Sequence, residues 1–167
     1  MLHKFGDENV QMPKDESDES MIAEEKDWKY IRVPGLGFLP GLICPHHDKI
    51  QSNGILRAID FDKMLCRHKG ERGIGIDHWA VLIISNGKYE VLSLEDKVGL
   101  VVFNGKNAKF VVGEGVPGVW IKGVMEDGDV NVRLCPSEGD LIDLLRPAVE
   151  IVQDDNIELC RIANPSD

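Results

Sequence analysis

One short run of residues has types that could do chemistry: Cys44, Pro45, His46, His47 and Asp48. Histidine exchanges a proton near neutral pH, so an imidazole here could serve as a general base. Pro45 restricts the backbone directly before His46, which suits a side chain that must be aimed. A polar loop without chemistry is a second interpretation, and a zinc site is a third. The zinc site is less favoured, because adjacent histidines diverge in an extended chain and no further ligand cluster follows at metal spacing.

The chain lacks an obvious nucleophile for such a base. Residues two apart face the same side of an extended chain, so Cys44 could lie beside His46, but nothing nearby indicates an oxyanion hole. No Gly-x-Ser-x-Gly turn occurs, and the serines lack the small flanking residues that such a turn needs: Ser17, Ser20, Ser52, Ser85, Ser93, Ser137 and Ser166. The sequence therefore offers a candidate general base but no serine in the kind of turn that a nucleophile needs.

Strands and one amphipathic helix must position these residues. Apolar spacings of three and four predict a helix over 55–70, followed by a short buried strand over 73–77. Turn pairs such as Asn86-Gly87 predict hairpins of 80–85 with 88–94, 100–103 with 109–112, and 119–125 with 130–134. The apolar stretch 36–44 predicts a buried strand or packed loop, Trp79 is assigned to the core, and a helix is predicted from about 137 to 145.

Bulk composition bounds the domain count and the compartment. The 167 residues fit one domain. We predict a flexible acidic arm over 1–27, an α/β domain over 28–147 and a polar tail over 148–167. The net charge of −10 argues against nucleic acid and anionic membrane as partners. Four widely spaced cysteines, with no signal peptide and no apolar run of spanning length, favour reduced thiols and a cytoplasmic location.

Four blocks in order carry a family resemblance: 35–41, 44–48, 54–61 and 73–77. Together they resemble the catalytic-histidine half of the peptidase E and cyanophycinase family, over roughly 28–94 of this chain. The resemblance implies an α/β fold, part of the three-layer sandwich of class I glutamine amidotransferases, here with a β-hairpin-rich C-terminal half. It also implies hydrolysis of peptide bonds by a Ser-His-acid mechanism.

The resemblance assigns roles to individual residues. His46 would be the general base, and Asp18 matches the acid of one branch of the family. His47, Asn53, Arg57 and Asp77 would lie at the substrate; an arginine can hold a substrate carboxylate through paired hydrogen bonds. His78 departs from the pattern, because another branch of the family has a glutamate there.

The expected function is that of a serine-type exopeptidase or dipeptidase that lacks its nucleophile and is inactive alone. The alternative is a non-catalytic pseudoenzyme or a subunit of a larger assembly, and a third hypothesis is a metal-dependent hydrolase using His46, His47 and Asp48. No metal and no cofactor is expected under the first two. The expected partners are a peptide substrate, once a missing N-terminal half completes the site, and further copies of the chain associating through exposed sheet edges.

Overall fold

The computed structural model describes residues 2–4, 30–52, 54–104, 107–110, 115–151 and 157–158. The first strands are β1 (Leu2–Lys4), β2 (Tyr30–Arg32) and β3 (Leu42–Pro45), and helix α1 (Arg57–Arg67) follows. Next come the strands β4 (Gly73–Ile76), β5 (Ala80–Ser85), β6 (Lys88–Ser93), β7 (Val101–Asn104), β8 (Asn107–Phe110), β9 (Val119–Val124), β10 (Val130–Leu134) and β11 (Glu138–Asp140). The described part ends with α2 (Leu141–Leu145), a 3-10 turn (Ala148–Glu150) and β12 (Ile157–Glu158).

A four-stranded sheet in the order β10-β9-β4-β3 forms the centre of the fold. Strands β3 and β4 are parallel and α1 connects them, whereas β9 runs antiparallel to both β4 and β10. Every residue of β9 is buried. Every residue of a strand is buried when both faces of its sheet are covered. Here α1 covers one face of the central sheet, and β6 and α2 cover the other.

Helix α1 confirms the helix predicted from apolar spacing. Its buried residues Ala58, Phe61, Met64 and Leu65 recur every three or four positions, so they share one face. That face packs on Leu42 and Cys44 of β3 and on Val124 of β9. The helix ends at Arg67, and Gly70 takes a φ of +92° in the turn that follows.

A second sheet, in the order β11-β6-β5, lies beside the first. The hairpin of β5 and β6 is confirmed, and Asn86 and Gly87 both adopt positive φ, of 50° and 74°. Such a pair matches the turn that fits the right-handed twist of the flanking strands. The other two predicted hairpins are confirmed as well, by β7 with β8 and by β9 with β10.

The predicted helix over 137–145 is only partly right. Residues Glu138–Asp140 form β11, which pairs with β6, and only Leu141–Leu145 are helical. The strand is favoured because Gly139 has no side chain and can lie against the Tyr89 ring; a Cβ at this position would be 2.6 Å from ring atoms.

Three further predictions differ from the structure. In the stretch 36–44, Leu36 and Phe38 are 87% and 86% exposed, and only Leu42–Pro45 form a strand. Trp79 is 40% exposed and does not belong to the core. Ala148 and Ile151, within the predicted tail, are buried against the central sheet.

The predicted arm 1–27 lies outside the described residues except for Leu2–Lys4, which pair with β2. A small sheet of three strands contains β12, β8 and β7. The class is α/β with mixed sheets, and the three-layer sandwich of the amidotransferases stays a prediction. Among the described residues, no helix is long and apolar enough to cross a membrane.

Candidate functional site

The residues singled out in the sequence meet where β3 and β4 end. Because the two strands are parallel, their carboxyl ends lie at one edge of the sheet. His46, His47 and Asp48 surround the end of β3, and Asp77 and His78 follow β4. The backbone N–H of His47 donates to the carbonyl of Ile76 at 2.9 Å, which fixes the two segments side by side.

An exposed histidine pair occupies the surface of this edge. Nδ1 of His46 lies 2.6 Å from Nδ1 of His78, so one of these atoms carries the shared proton and the other accepts it. The backbone N–H of His78 donates to Oδ1 of Asp48 at 2.7 Å, which positions the second ring. Partial burial and the neighbouring His78 lower the pKa of His46. His46 also has a φ of +52°, a conformation that costs a non-glycine residue about 1 kcal/mol.

A buried network lies directly beneath the pair. Oδ2 of Asp77 accepts hydrogen bonds from the backbone N–H of Gly118 at 2.9 Å and from Nε1–H of Trp120 at 3.0 Å. Its Oδ1 lies 3.3 Å from Nδ1 of His47. Burial raises the pKa of Asp77 to about 6 and holds the pKa of His47 well below its ordinary value. The network therefore ties the ends of β3 and β4 to β9.

The predicted place of His47 at the substrate does not fit its position in the structure. The side chain is fully buried, stacked at a tilt on Trp120 and edge-on to Phe61, with ring centroids 6.1 Å apart in both cases. Gly75 makes room for the ring, since a Cβ there would lie 2.6 Å from a ring carbon. His47 and Asp77 thus both lie inside the protein, away from any incoming substrate.

Arg57 secures the loop that carries the histidines. Its Nη1 donates to the carbonyl of Pro45 at 2.8 Å, and its Nη2 donates to Oε1 of Gln51 at 3.1 Å. These contacts link the start of α1 to the end of β3. The other two assigned residues, Asp18 and Asn53, lie outside the described residues.

The remaining chemical candidates do not form a reactive centre. Cys44 is fully buried, and burial raises the pKa of its thiol to about 12, so it stays protonated and is no nucleophile. Within the described ranges, no group of three or more histidine, cysteine, aspartate or glutamate side chains could hold a metal ion. The hydrogen-bonded neighbour of His46 is His78, where a peptidase would need a serine hydroxyl.

Sequence reasoning missed His78 as the contact of His46. From the sequence, His78 only marks a position where a related branch has a glutamate. In the structure, the parallel register of β3 and β4 brings the His46 and His78 rings together. A signal was available: each histidine follows a predicted strand by one or two residues. Had the two strands been paired in parallel, the two side chains would have been placed at one edge.

Comparison with known proteins gives one informative similarity. The chain is 36% identical over 141 residues to the G2/mitotic-specific cyclin-1 of Trypanosoma brucei brucei. The match covers 83% of this chain but 39% of that relative, so the chain spans about two fifths of the relative's length. No family model and no solved structure matches the chain.

The similarity corrects the interpretation as a peptidase. The relative is named as a cyclin, so the resemblance to peptidase E, the expected hydrolysis of peptide bonds and the expected peptide substrate are wrong. The geometry agrees with the correction: two of the residues assigned to a substrate are buried, and the candidate base is bonded to a second histidine. The four blocks that suggested the family form the bends before β3, the end of β3 with the loop after it, the start of α1, and strand β4.

Proposed function

We propose that this chain is a non-catalytic, protein-binding part of a cell-cycle regulator. The observation that carries the proposal is the 36% identity over 141 residues with a G2/mitotic-specific cyclin. A regulator acts by binding other proteins. The histidine edge, by which we mean His46 and His78 at the ends of β3 and β4, has a structural role, because the buried side chains of Asp77 and His47 beneath it hold three strands together.

A protein kinase of the cell cycle is the proposed partner, because the matched relative is named as a cyclin. The cytoplasm stays the proposed compartment.

The test is immunoprecipitation of the tagged full-length protein from synchronised cells of its source, followed by a protein-kinase assay on the precipitate. We expect kinase activity that rises towards mitosis and that is retained by a His46→Ala variant, because His46 is assigned no catalytic role. A precipitate without kinase activity at any stage, from cells in which the tagged protein is abundant, would refute the proposal.

A further inference from the structure

The outer face of the β11-β6-β5 sheet is apolar at one end and acidic at the other. We use the name outer face for the side that carries Trp79, Val81, Ile83, Lys88, Glu90, Leu92, Leu94, Glu138 and Asp140. Cross-strand register sets these side chains on one side: Val81 lies opposite Leu92, and Ile83 opposite Glu90. The opposite side carries Tyr89 and Leu82, which pack into the core. The outer face is therefore the side of this sheet that nothing in the described part of the chain covers.

The apolar end exposes large side chains in a continuous row. Val81 is 56% exposed, Leu92 48% and Leu94 47%, and Ile83 and Trp79 also remain accessible. Single exposed apolar residues are ordinary, but a contiguous patch marks an interaction site. Lys97, whose Nζ lies 5.2 Å from the centre of the Trp79 ring, borders the row at its far end.

Strand β5 also presents a free edge. Among the described strands it pairs only with β6. Its sequence, Ala-Val-Leu-Ile-Ile-Ser, contains no charged residue and no proline. Exposed edges are normally protected by such residues, so an unprotected edge is suited to accept another strand.

The acidic end indicates what kind of strand fits. Glu90 lies directly opposite Glu138 on adjacent strands, and like charges in this arrangement destabilise a sheet. The next pair along, Lys88 opposite Asp140, is by contrast of opposite sign. A cation from a partner would relieve the repulsion between the two glutamates. Two copies of this chain, each with a net charge of −10, would instead bring more negative charge together.

We propose that the outer face and the edge of β5 form a docking site for an extended segment of a partner protein, with alternating apolar side chains and an adjacent lysine or arginine. The segment adds as a strand beside β5. Its apolar side chains lie next to Val81 and Ile83, and its basic side chain extends across Ile83 to Glu90, the neighbour of Glu138. The inference rests on the proposed function in one respect only, that the chain acts by binding a protein.

The probe is a labelled synthetic peptide of alternating valine and threonine with one arginine, and its counterpart has glutamate in place of the arginine. Binding to the purified chain is measured by fluorescence anisotropy. We expect the arginine peptide to bind at least about five-fold more tightly than the glutamate peptide, because only it brings a cation to Glu90, whose carboxylate the neighbouring Glu138 repels. Exchanging Glu138→Lys should remove or invert this preference.

Two substitutions test the apolar row. Ile83→Lys and, separately, Val81→Lys should each weaken binding of the arginine peptide by about ten-fold or more, because they place a charge at the centre of the contact. The matched control is Val149→Lys, at a residue that is 59% exposed on the 3-10 turn, which should leave binding unchanged. Circular dichroism verifies that each variant is folded.

The outcomes separate this inference from the proposed function. Equal binding of both peptides, or full binding by folded Ile83→Lys and Val81→Lys variants, would overturn the docking site. So would sedimentation showing a dimer that Ile83→Lys dissociates, since a second copy would then occupy the face. A positive peptide result together with precipitates that lack kinase activity would retain the docking site and reject the cell-cycle function.

Discussion

Replacing Asp77 with asparagine should change how stability depends on pH. Asp77 is 1% exposed, and burial raises its pKa from 3.8 to about 6. The protonated acid is therefore favoured in the folded protein relative to the unfolded chain. Stability contributed by this group is fully present below about pH 4 and is lost as the pH rises through the folded value. The difference between the two pKa values corresponds to about 3 kcal/mol.

Asparagine resembles the protonated acid and does not titrate. Its carbonyl oxygen can accept from Gly118 and Trp120, and its amide can donate to Nδ1 of neutral His47. We expect the free energy of unfolding of wild type minus that of Asp77→Asn to fall by up to about 3 kcal/mol between about pH 4 and pH 7.

Urea unfolding at a series of pH values, followed by tryptophan fluorescence, measures this difference. Because His47 is present in both proteins, its own titration largely cancels. As a control, Asp77→Ala should be less stable than Asp77→Asn at every pH, since it leaves the buried donors of Gly118 and Trp120 without an acceptor. A wild-type advantage that grows with pH would refute the reasoning, because it would show that the fold stabilises the carboxylate.

Three further predictions test the packing in and around the site. Gly75→Ala should lower stability by about 2 kcal/mol, measured by urea unfolding, because the added methyl group collides with the His47 ring. Asp62→Ala should lower the free energy of unfolding by about 3 kcal/mol, because it leaves the buried ammonium of Lys122 without the carboxylate 2.6 Å away. Lys122→Met should lower it by less than about 1 kcal/mol, because the methionine side chain suits the apolar surroundings of the buried position. Iodoacetamide should alkylate Cys44 only when the protein unfolds, as followed by mass spectrometry, because the thiol is buried and its pKa is about 12.

Each of these has an internal reference. Gly35→Ala should be close to neutral, since nothing lies within 4 Å of a Cβ at that position. Cys66, which is partly exposed, should be alkylated in the folded protein before Cys44. Equal losses from Gly75→Ala and Gly35→Ala, a Lys122→Met variant less stable than Asp62→Ala, or fast alkylation of Cys44 in the native state would each contradict the packing described here.

Local pattern predicted the regular elements well because their causes are local. The spacing of Phe61, Met64 and Leu65 identifies α1, and Asn86-Gly87 identifies the β5–β6 turn. Strand β11 escaped prediction because it is three residues long and charged, and it exists only through its pairing with β6. Trp79 was assigned to the core because large apolar residues are usually buried, yet it is 40% exposed at the end of the outer face.

The candidate site could be located from the sequence but not interpreted from it. The run 44–48 did mark the edge where β3 and β4 end. Whether His46 contacts a serine or another histidine depends on which strands pair. Its contact is with His78, which lies 32 positions further along the chain. The burial of His47 follows from the absence of a side chain at Gly75 on the neighbouring strand, again a contact between distant parts of the chain.

The most direct test of the central claim is genetic complementation in cells depleted of the full-length protein, with DNA content measured by flow cytometry. We predict that depleted cells accumulate in G2 or mitosis, that wild type and His46→Ala rescue them, and that Ile83→Lys fails to rescue them at equal protein abundance. Rescue by Ile83→Lys together with failure of His46→Ala would contradict it, because the histidine edge and not the binding surface would then carry the function.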